Sequence, residues 1–507
     1  MKRVILVLVV AACVAGSLSA EARKPSVFFP INSTVVQDTN RWEIWQDNRG
    51  RFAVPQPGNQ PGGYWPKYSG RNYLFGAGIW VGAIDTTVTP PDTQVTWGYN
   101  PNSGTAEFCP STPDGDPSRY LDSLARVYRS DIPADTAQWP LRDSTGRAIY
   151  VSHQDLWTIF NDVNPIYMQT GDSSIGIQVI RRSYAWNSPG PWGDIVKIEH
   201  EVKNVTGRWM GNPHTLSHVI ISLCVDADIG NESGTNANDL LYLDRTPGNP
   251  FPNVAVQYQL AQEPGWGPPP YYVGMKFVSG PINNTGDTLK IRSQSGIGYP
   301  EYDRDVPPGQ LLGMTSFQLF TIDMDPSLPG QRYLELTGRD YRTPSIYNAY
   351  QKDTFGGGDK RFLLSCGPFT LPNDSSVTLV AHIIGGTDSL DIIRKAEMLG
   401  IESPPDPVSQ KPSGVALFPC IPNPTSGHCL LCYALPSPSS VTLRIYDICG
   451  RLVRVLDQGE RQAGSHAVRW DGRNGAGLSV PEGVYFLRLE AGGAGGVSQT
   501  RKLVVLR

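Results

Sequence analysis

From Asp194 to Asn204 apolar and charged residues alternate: Val196, Ile198, His200 and Val202 fall on one side, and Lys197, Glu199, Glu201 and Lys203 on the other. A period of two belongs to an extended chain whose successive side chains point to opposite faces. The segment therefore predicts a half-buried antiparallel strand and is incompatible with an amphipathic helix. Tyr73 to Ile84, Ile175 to Trp186, Val219 to Asp226, Leu311 to Met324 and Val377 to Ile384 predict further strands, punctuated by many of the 53 glycines and 44 prolines. Helical pattern is scarce. Ser152-His-Gln-Asp155 reads as a capping box ahead of Trp157 and Phe160. Asp388-Ser-Leu-Asp391 reads as another, opening a helix with Leu390, Ile393 and Met398 that Gly400 stops. The expected fold is all-β: a large β-sandwich-type central region with two short helices, followed by a further β-sandwich at the C-terminus.

The 43 Lys+Arg against 47 Asp+Glu leave a formal charge of −4, so there is no basic surplus for nucleic acid to neutralise. After the first 20 or so residues the longest apolar runs, Ala77 to Ile84 and His218 to Val225, fall far short of the roughly 20 needed to span a bilayer, so no transmembrane segment is expected there. The N-terminus is different. Met1-Lys2-Arg3, the apolar run Val4 to Gly16 and the small residues around Ala20-Glu21-Ala22 have the layout of a secretory signal peptide cleaved near Ala20 or Ala22. Val10-Ala11-Ala12-Cys13 offers a lipoprotein alternative. The resulting expectation is a secreted protein, extracellular or on the outer cell surface. With Cys13 removed, seven cysteines remain, and an odd number leaves at least one unpaired in a monomer. Cys429-Leu-Leu-Cys432 has half-site spacing for a metal, but a strand would point the two thiols to opposite faces, and no second CxxC completes a zinc site.

Four prolines between Ile401 and Gly414 predict a stiff linker. The organisation expected is a signal peptide at 1–22, a β-rich region of one or two domains at 23–400, the linker at 401–414 and a final domain at 415–507. That last part carries 10 Lys+Arg against 6 Asp+Glu, opposite in sign to the rest. It holds a row of short strand-like runs: one ending at Leu435, Val441 to Leu456, Gly464 to Trp470 and Gly483 to Leu489. Asp447-x-x-Gly450 forms a turn, Trp470 is a core residue, and Asp471-Gly472 and Asn474-Gly475 supply turn positions with φ > 0. Roughly seven strands in about ninety residues suit an immunoglobulin-like sandwich.

These residues closely resemble the FlgD-like Ig domain of flagellar hook-capping proteins. Pro422-Asn423-Pro424, the Ile-Tyr-Asp-x-x-Gly-Arg run ending at Arg451, Gly483-Val-Tyr-Phe486 and the ending Arg501 to Arg507 also resemble the C-terminal sorting domain of type IX secretion cargo. The resemblance implies outer-membrane secretion machinery as a partner. More loosely, Asn72 to Gly82, Asp226-Ala-Asp-Ile-Gly230 and Asp359 to Phe369 resemble uncharacterised secreted proteins that carry the same C-terminal domain, and no activity comes with that resemblance.

For chemistry, Asp226 and Asp228 project to one side at the end of an apolar run, and Asn231, Asn236, Asn238 and Asp239 add oxygens. Hard oxygens from a loop suit Ca²⁺, so Asp226, Asp228 and Asp239 are candidate calcium ligands, although the spacing is not that of an EF-hand. Asp303-x-Asp305 and Asp323-x-Asp325 are weaker versions of the same signal. Glu199-His200-Glu201 would be split by strand alternation, leaving His200 a satisfied core residue. His214 and His218 could share a metal only on a helix, which Pro213 opposes. No catalytic residue is nominated. Aromatics near Trp65, Trp186 to Trp192 and Trp266 to Tyr272 could be stacking platforms for a glycan or protein ligand, with packing inside loops the commoner reason for such clusters. Two readings follow: an exported non-catalytic β protein for binding, adhesion or structure, or a secreted, glycan-active hydrolase, whose paired carboxyls a single sequence does not reveal.

Overall fold

The computed structural model describes residues 33–54, 61–230, 239–247, 249, 251–263, 266–398, 415–417, 425, 429–461, 464–492 and 496–505. The signal segment, the proline-rich 401–414, Cys420, Asn231, Asn236 and Asn238 lie outside them. Nearly all regular structure is antiparallel β, as the alternation requires.

Two large sheets build the central region. Neighbouring strands in the ten-stranded sheet include Ser316–Thr321, Lys360–Leu371, Leu216–Asp226 and Gly76–Asp85, in that spatial order. The nine-stranded sheet runs through Tyr271–Ser279, Ser376–Gly386, Ile195–Asn204, Ile177–Ala185 and Gln154–Asn161. Ile79, Val81, Leu223 and Leu364 of the first meet Val179, Ile198, Val202 and Ile383 of the second in one continuous apolar cluster. This is the face-to-face packing of a sandwich.

The strand Ile195–Asn204 shows its alternation in three dimensions. Val196, Ile198, His200 and Val202 are buried in the core. On the other face Lys197 pairs with Glu199 at 2.6 Å, and Glu201 with Arg182 at 2.7 Å. Leu216–Asp226, by contrast, is covered on both sides: Ile221, Leu223 and Val225 enter the main core, while Ile220 and Cys224 enter a second cluster with Trp80, Trp97 and Tyr333. A continuous apolar run is the sequence form of such a strand.

The helix expectations hold in part. Ser389–Met398 is a helix, capped by Asp388, whose Oδ1 accepts from the Asp391 amide at 2.8 Å. Its buried face carries Ile392 and Ala396 rather than Leu390, which is exposed. The helix expected after Ser152 is instead the strand Gln154–Asn161. Asp155 does accept from the Val151 and Ser152 amides at 2.6 and 2.8 Å, but this bonding closes a turn. The run that follows pairs along its whole length with Ile177–Ala185 and is buried on both faces. Side-chain caps satisfy free amides wherever a chain turns, so the capping signal alone does not specify what comes next. Pro329–Leu336 is a helix that the sequence pattern did not announce, and two shorter ones lie at Pro133–Ala137 and Thr206–Trp209.

At the C-terminus seven strands among the described residues form two sheets, of three and four strands. Leu431, Tyr433, Leu443, Ile445, Trp470 and Leu487 fill a core of their own. The Asp447 carboxylate accepts from the Arg451 amide at 2.9 Å, and Gly450 has φ +78°, as a tight turn requires. Gly472 takes the expected positive φ, whereas in the next turn Gly477, not Gly475, does so. Among the described residues no helix is long and apolar enough to cross a membrane.

Candidate metal centre

Asp226 is the last residue of its strand, and register places it beside Gly76 on one neighbour and Arg361 on the other. The three segments that stood out along the chain, 72–82, 226–230 and 359–369, thus lie side by side. The Asp226 carboxylate accepts a hydrogen bond from the Tyr99 hydroxyl at 2.8 Å and lies 3.5 Å from Arg361 Nε. Tyr99 reaches it because Gly76 has no side chain: a Cβ there would overlap the tyrosine ring.

Beyond Asp226 the chain leaves the sheet in a loop held at each carbonyl. Gln257 Nε2 donates to Ala227 O at 2.7 Å, Asn72 Nδ2 to Asp228 O at 2.7 Å, and Gln259 Nε2 to Ile229 O. These donors come from both large sheets, so Asp228 sits on a fixed support. Asp359 arrives from the start of the neighbouring strand, paired with Arg361 NH1 at 2.7 Å. Asp226, Asp228 and Asp359 each bring a carboxylate oxygen within 4.8 Å of the others. The first two are buried, at 0% and 7% exposure, and the third is partly open.

Of the three residues nominated from the sequence, Asp226 and Asp228 converge. Asp239 stands next to them with a different job: its Oδ2 accepts from the Ile229 amide at 3.0 Å and from Gln257 Nε2 at 2.8 Å. The third converging oxygen is Asp359. Only strand pairing brings it in, and its one mark in the sequence is the charged start of an apolar run. Asp325 also faces the group, whereas Asp305 is tied to Arg292 at 2.5 Å and Asp303 accepts from the Ser293 amide.

Crowding carboxyls away from water makes ionisation costly. Burial, with Asp226 the next cause, raises Asp228 well above the carboxylate range, and burial does the same for Asp239. Asp226 is raised by burial against the pull of Arg361, and burial lifts Asp325 to about 7. The arrangement is a set of hard oxygens short of positive charge.

The other histidine and aromatic candidates resolve differently. His200 is buried away from Glu199 and Glu201, but it is not the satisfied histidine expected: neither ring nitrogen has a hydrogen-bond partner within the protein. Burial and the neighbouring Arg181 push its pKa well below 6.5. His214 Nδ1 is 2.8 Å from Asn212 O, and His218 belongs to a strand, so the pair lacks helical spacing. Trp65, Trp186, Trp192 and Trp266 are buried among other rings, Trp186 and Trp192 with centroids 4.6 Å apart, and so are not exposed platforms. Cys429 is a buried thiol. One further pair of carboxyls, Glu107 and Asp172, shares a hydrogen bond, and Asp172 is held by Arg332 at 2.8 Å.

The FlgD Ig-like domain family matches residues 428–495, and the chain carries that domain at its C-terminus. The basal-body rod modification protein FlgD of Salmonella typhimurium is 44% identical over 55 residues, which is 11% of this chain and 24% of that protein. The chain therefore spans about a quarter of the length of this curated relative. Among solved structures, a polysaccharide lyase is similar over 94% of this chain and 46% of its own, with 9% identity and a TM-score of 0.25. PorZ of Porphyromonas gingivalis, a surface component of the type IX secretion system, is similar over 93% of this chain and 51% of its own, with 13% identity and a TM-score of 0.14. Likenesses this loose say nothing about activity.

Proposed function

We propose that this chain is an exported, non-catalytic β protein that is delivered to, or anchored at, the outer cell surface through its C-terminal Ig-like domain. The observation that carries the reading is the FlgD Ig-like match over 428–495, folded as a seven-stranded sandwich with its own core. A domain with a self-contained core can fold and be recognised apart from what it carries. The signal-peptide layout of the first 22 residues supports entry into the export route. On this reading residues 23–400 are the cargo, 401–414 a spacer, and 415–507 the part that outer-membrane secretion machinery recognises. The cargo presents its faces to a glycan or protein ligand.

The test is cell fractionation in a host with such machinery. The full chain should reach the surface, and a chain ending at residue 414 should accumulate in the periplasm. A reporter given the signal peptide and residues 415–507 should reach the surface. Normal surface delivery of the truncated chain would refute the proposal.

A further inference from the structure

We propose that Asp226, Asp228 and Asp359 form a divalent-cation site, with Ca²⁺ its occupant, that clamps the 226–230 loop to the first turn of the strand Lys360–Leu371. The proposal goes beyond the export reading and does not depend on it.

Geometry is the first ground. Two oxygens on one Mg²⁺ ion lie at most about 4.2 Å apart, whereas on Ca²⁺ they can lie up to about 5 Å apart. Three oxygens within 4.8 Å of one another fall inside the span of one Ca²⁺ coordination shell. All three are carboxylate oxygens, the donor class that Ca²⁺ takes and that softer metals leave aside.

Unmet bonding capacity is the second ground, and it is independent of the cluster's spacing. Asp226 accepts from Tyr99 and shares a hydrogen bond with Asp228, whereas Asp239 Oδ1 has no hydrogen-bond partner and its residue is 0% exposed. Gln257 Oε1, also on a fully buried residue, has none either. A buried polar atom without a partner costs on the order of 1–3 kcal/mol, and more when charged. Here several such oxygens gather around one loop. Asp239 is held against the loop by the Ile229 amide at 3.0 Å. Asp325 adds two more unpartnered oxygens.

Charge is the third ground. Asp226, Asp228, Asp325 and Asp359 all act on Arg361, and that guanidinium is the basic group shared among them. One guanidinium thus stands against four carboxyls, and the geometry pairs it directly with two of them, Asp226 and Asp359. A divalent ion in the Asp226–Asp228–Asp359 triangle supplies further positive charge and leaves Arg361 on the outer oxygens. It also ties the loop beyond Asp226 to the start of the strand that pairs with it through Asp226 and Arg361. On the competing reading, Arg361 together with retained protons is sufficient and no metal binds.

Terbium luminescence distinguishes the two, because Tyr99 touches Asp226 and is positioned to sensitise a bound lanthanide. The full mature chain, stripped with a chelator, should give Tyr-sensitised Tb³⁺ emission that Ca²⁺ competes away with one site per chain. Its melting temperature should rise with added Ca²⁺. Asp228→Asn and Asp359→Asn, which keep shape and remove charge, should each weaken Ca²⁺ binding by roughly tenfold or more. Both should melt no lower than wild type in chelator, since each relieves carboxylate crowding. Asp305→Asn should change nothing. If wild type shows neither competed emission nor a melting shift at millimolar Ca²⁺, the proposal fails. It fails equally if the two Asn variants fold and bind as wild type does.

Discussion

Glu335→Gln tests how burial sets the pH dependence of this fold. Glu335 lies on the helix Pro329–Leu336 with 4% of its surface exposed, and its Oε1 accepts from the Tyr341 amide at 2.9 Å. Burial raises its pKa from 4.5 to about 8, against the lowering effect of that hydrogen bond. The folded chain therefore keeps a proton that the unfolded chain loses above pH 4.5. The sign follows from linkage: the stabilisation is fully present below about 4.5, falls as pH rises, and is gone above about 8. At about 1.4 kcal/mol per pH unit the ceiling is about 5 kcal/mol across that window. Glutamine keeps the acceptor for the Tyr341 amide and has no proton to lose, so the variant should match wild type near pH 4.5 and exceed it by about 2–5 kcal/mol near pH 8.5. Urea unfolding followed by tryptophan fluorescence, run on both proteins from pH 4.5 to 9, gives the difference directly and cancels every other titrating group. A difference that stays flat across this range would show that Glu335 ionises in the folded state much as it does in water, and the reasoning from burial would be wrong.

Other residues make sharper demands. Arg332 donates two bonds to Asp172 at 2.8 Å and stacks over Trp97 at 4.0 Å. Arg332→Ala should cost about 3–5 kcal/mol by stranding a buried carboxylate, and adding Asp172→Asn should recover much of it in a double-mutant cycle. Trp470 is wholly buried in the C-terminal core, so Trp470→Ala should destabilise that unit by about 3–5 kcal/mol while the melting of the central sheets stays put, as calorimetry would resolve. Cys449 is exposed, whereas Cys109, Cys224, Cys366 and Cys429 are buried. Burial pushes the Cys109 thiol up to about 12. Mass mapping after brief treatment with a thiol reagent should find Cys449 labelled and those four labelled only after unfolding.

Strand positions were legible where one face meets solvent, because alternation then records the environment residue by residue. Ile195–Asn204 is the clearest case, down to the salt-bridged outer face. Gln154–Asn161 was illegible for the opposite reason: buried on both faces, it has no alternation to read, and a genuine turn-capping aspartate imitates a helix start. Pro329–Leu336 hid because its Tyr333 and Leu336 pack over Gly82, a neighbour that pattern alone does not specify.

The sequence by itself determined the all-β class, the separate C-terminal sandwich and the pairing of Asp226 with Asp228, since each follows from local period or spacing. Tertiary structure alone decided that Asp359 joins Asp226 and Asp228, that Asp239 turns aside to hold Ile229, and that Arg361 pairs with Asp226 and Asp359. Hydrogen bonding between strands joins residues far apart along the chain, and the register that sets those neighbours is fixed by packing on both faces of the sheet rather than by any local signal.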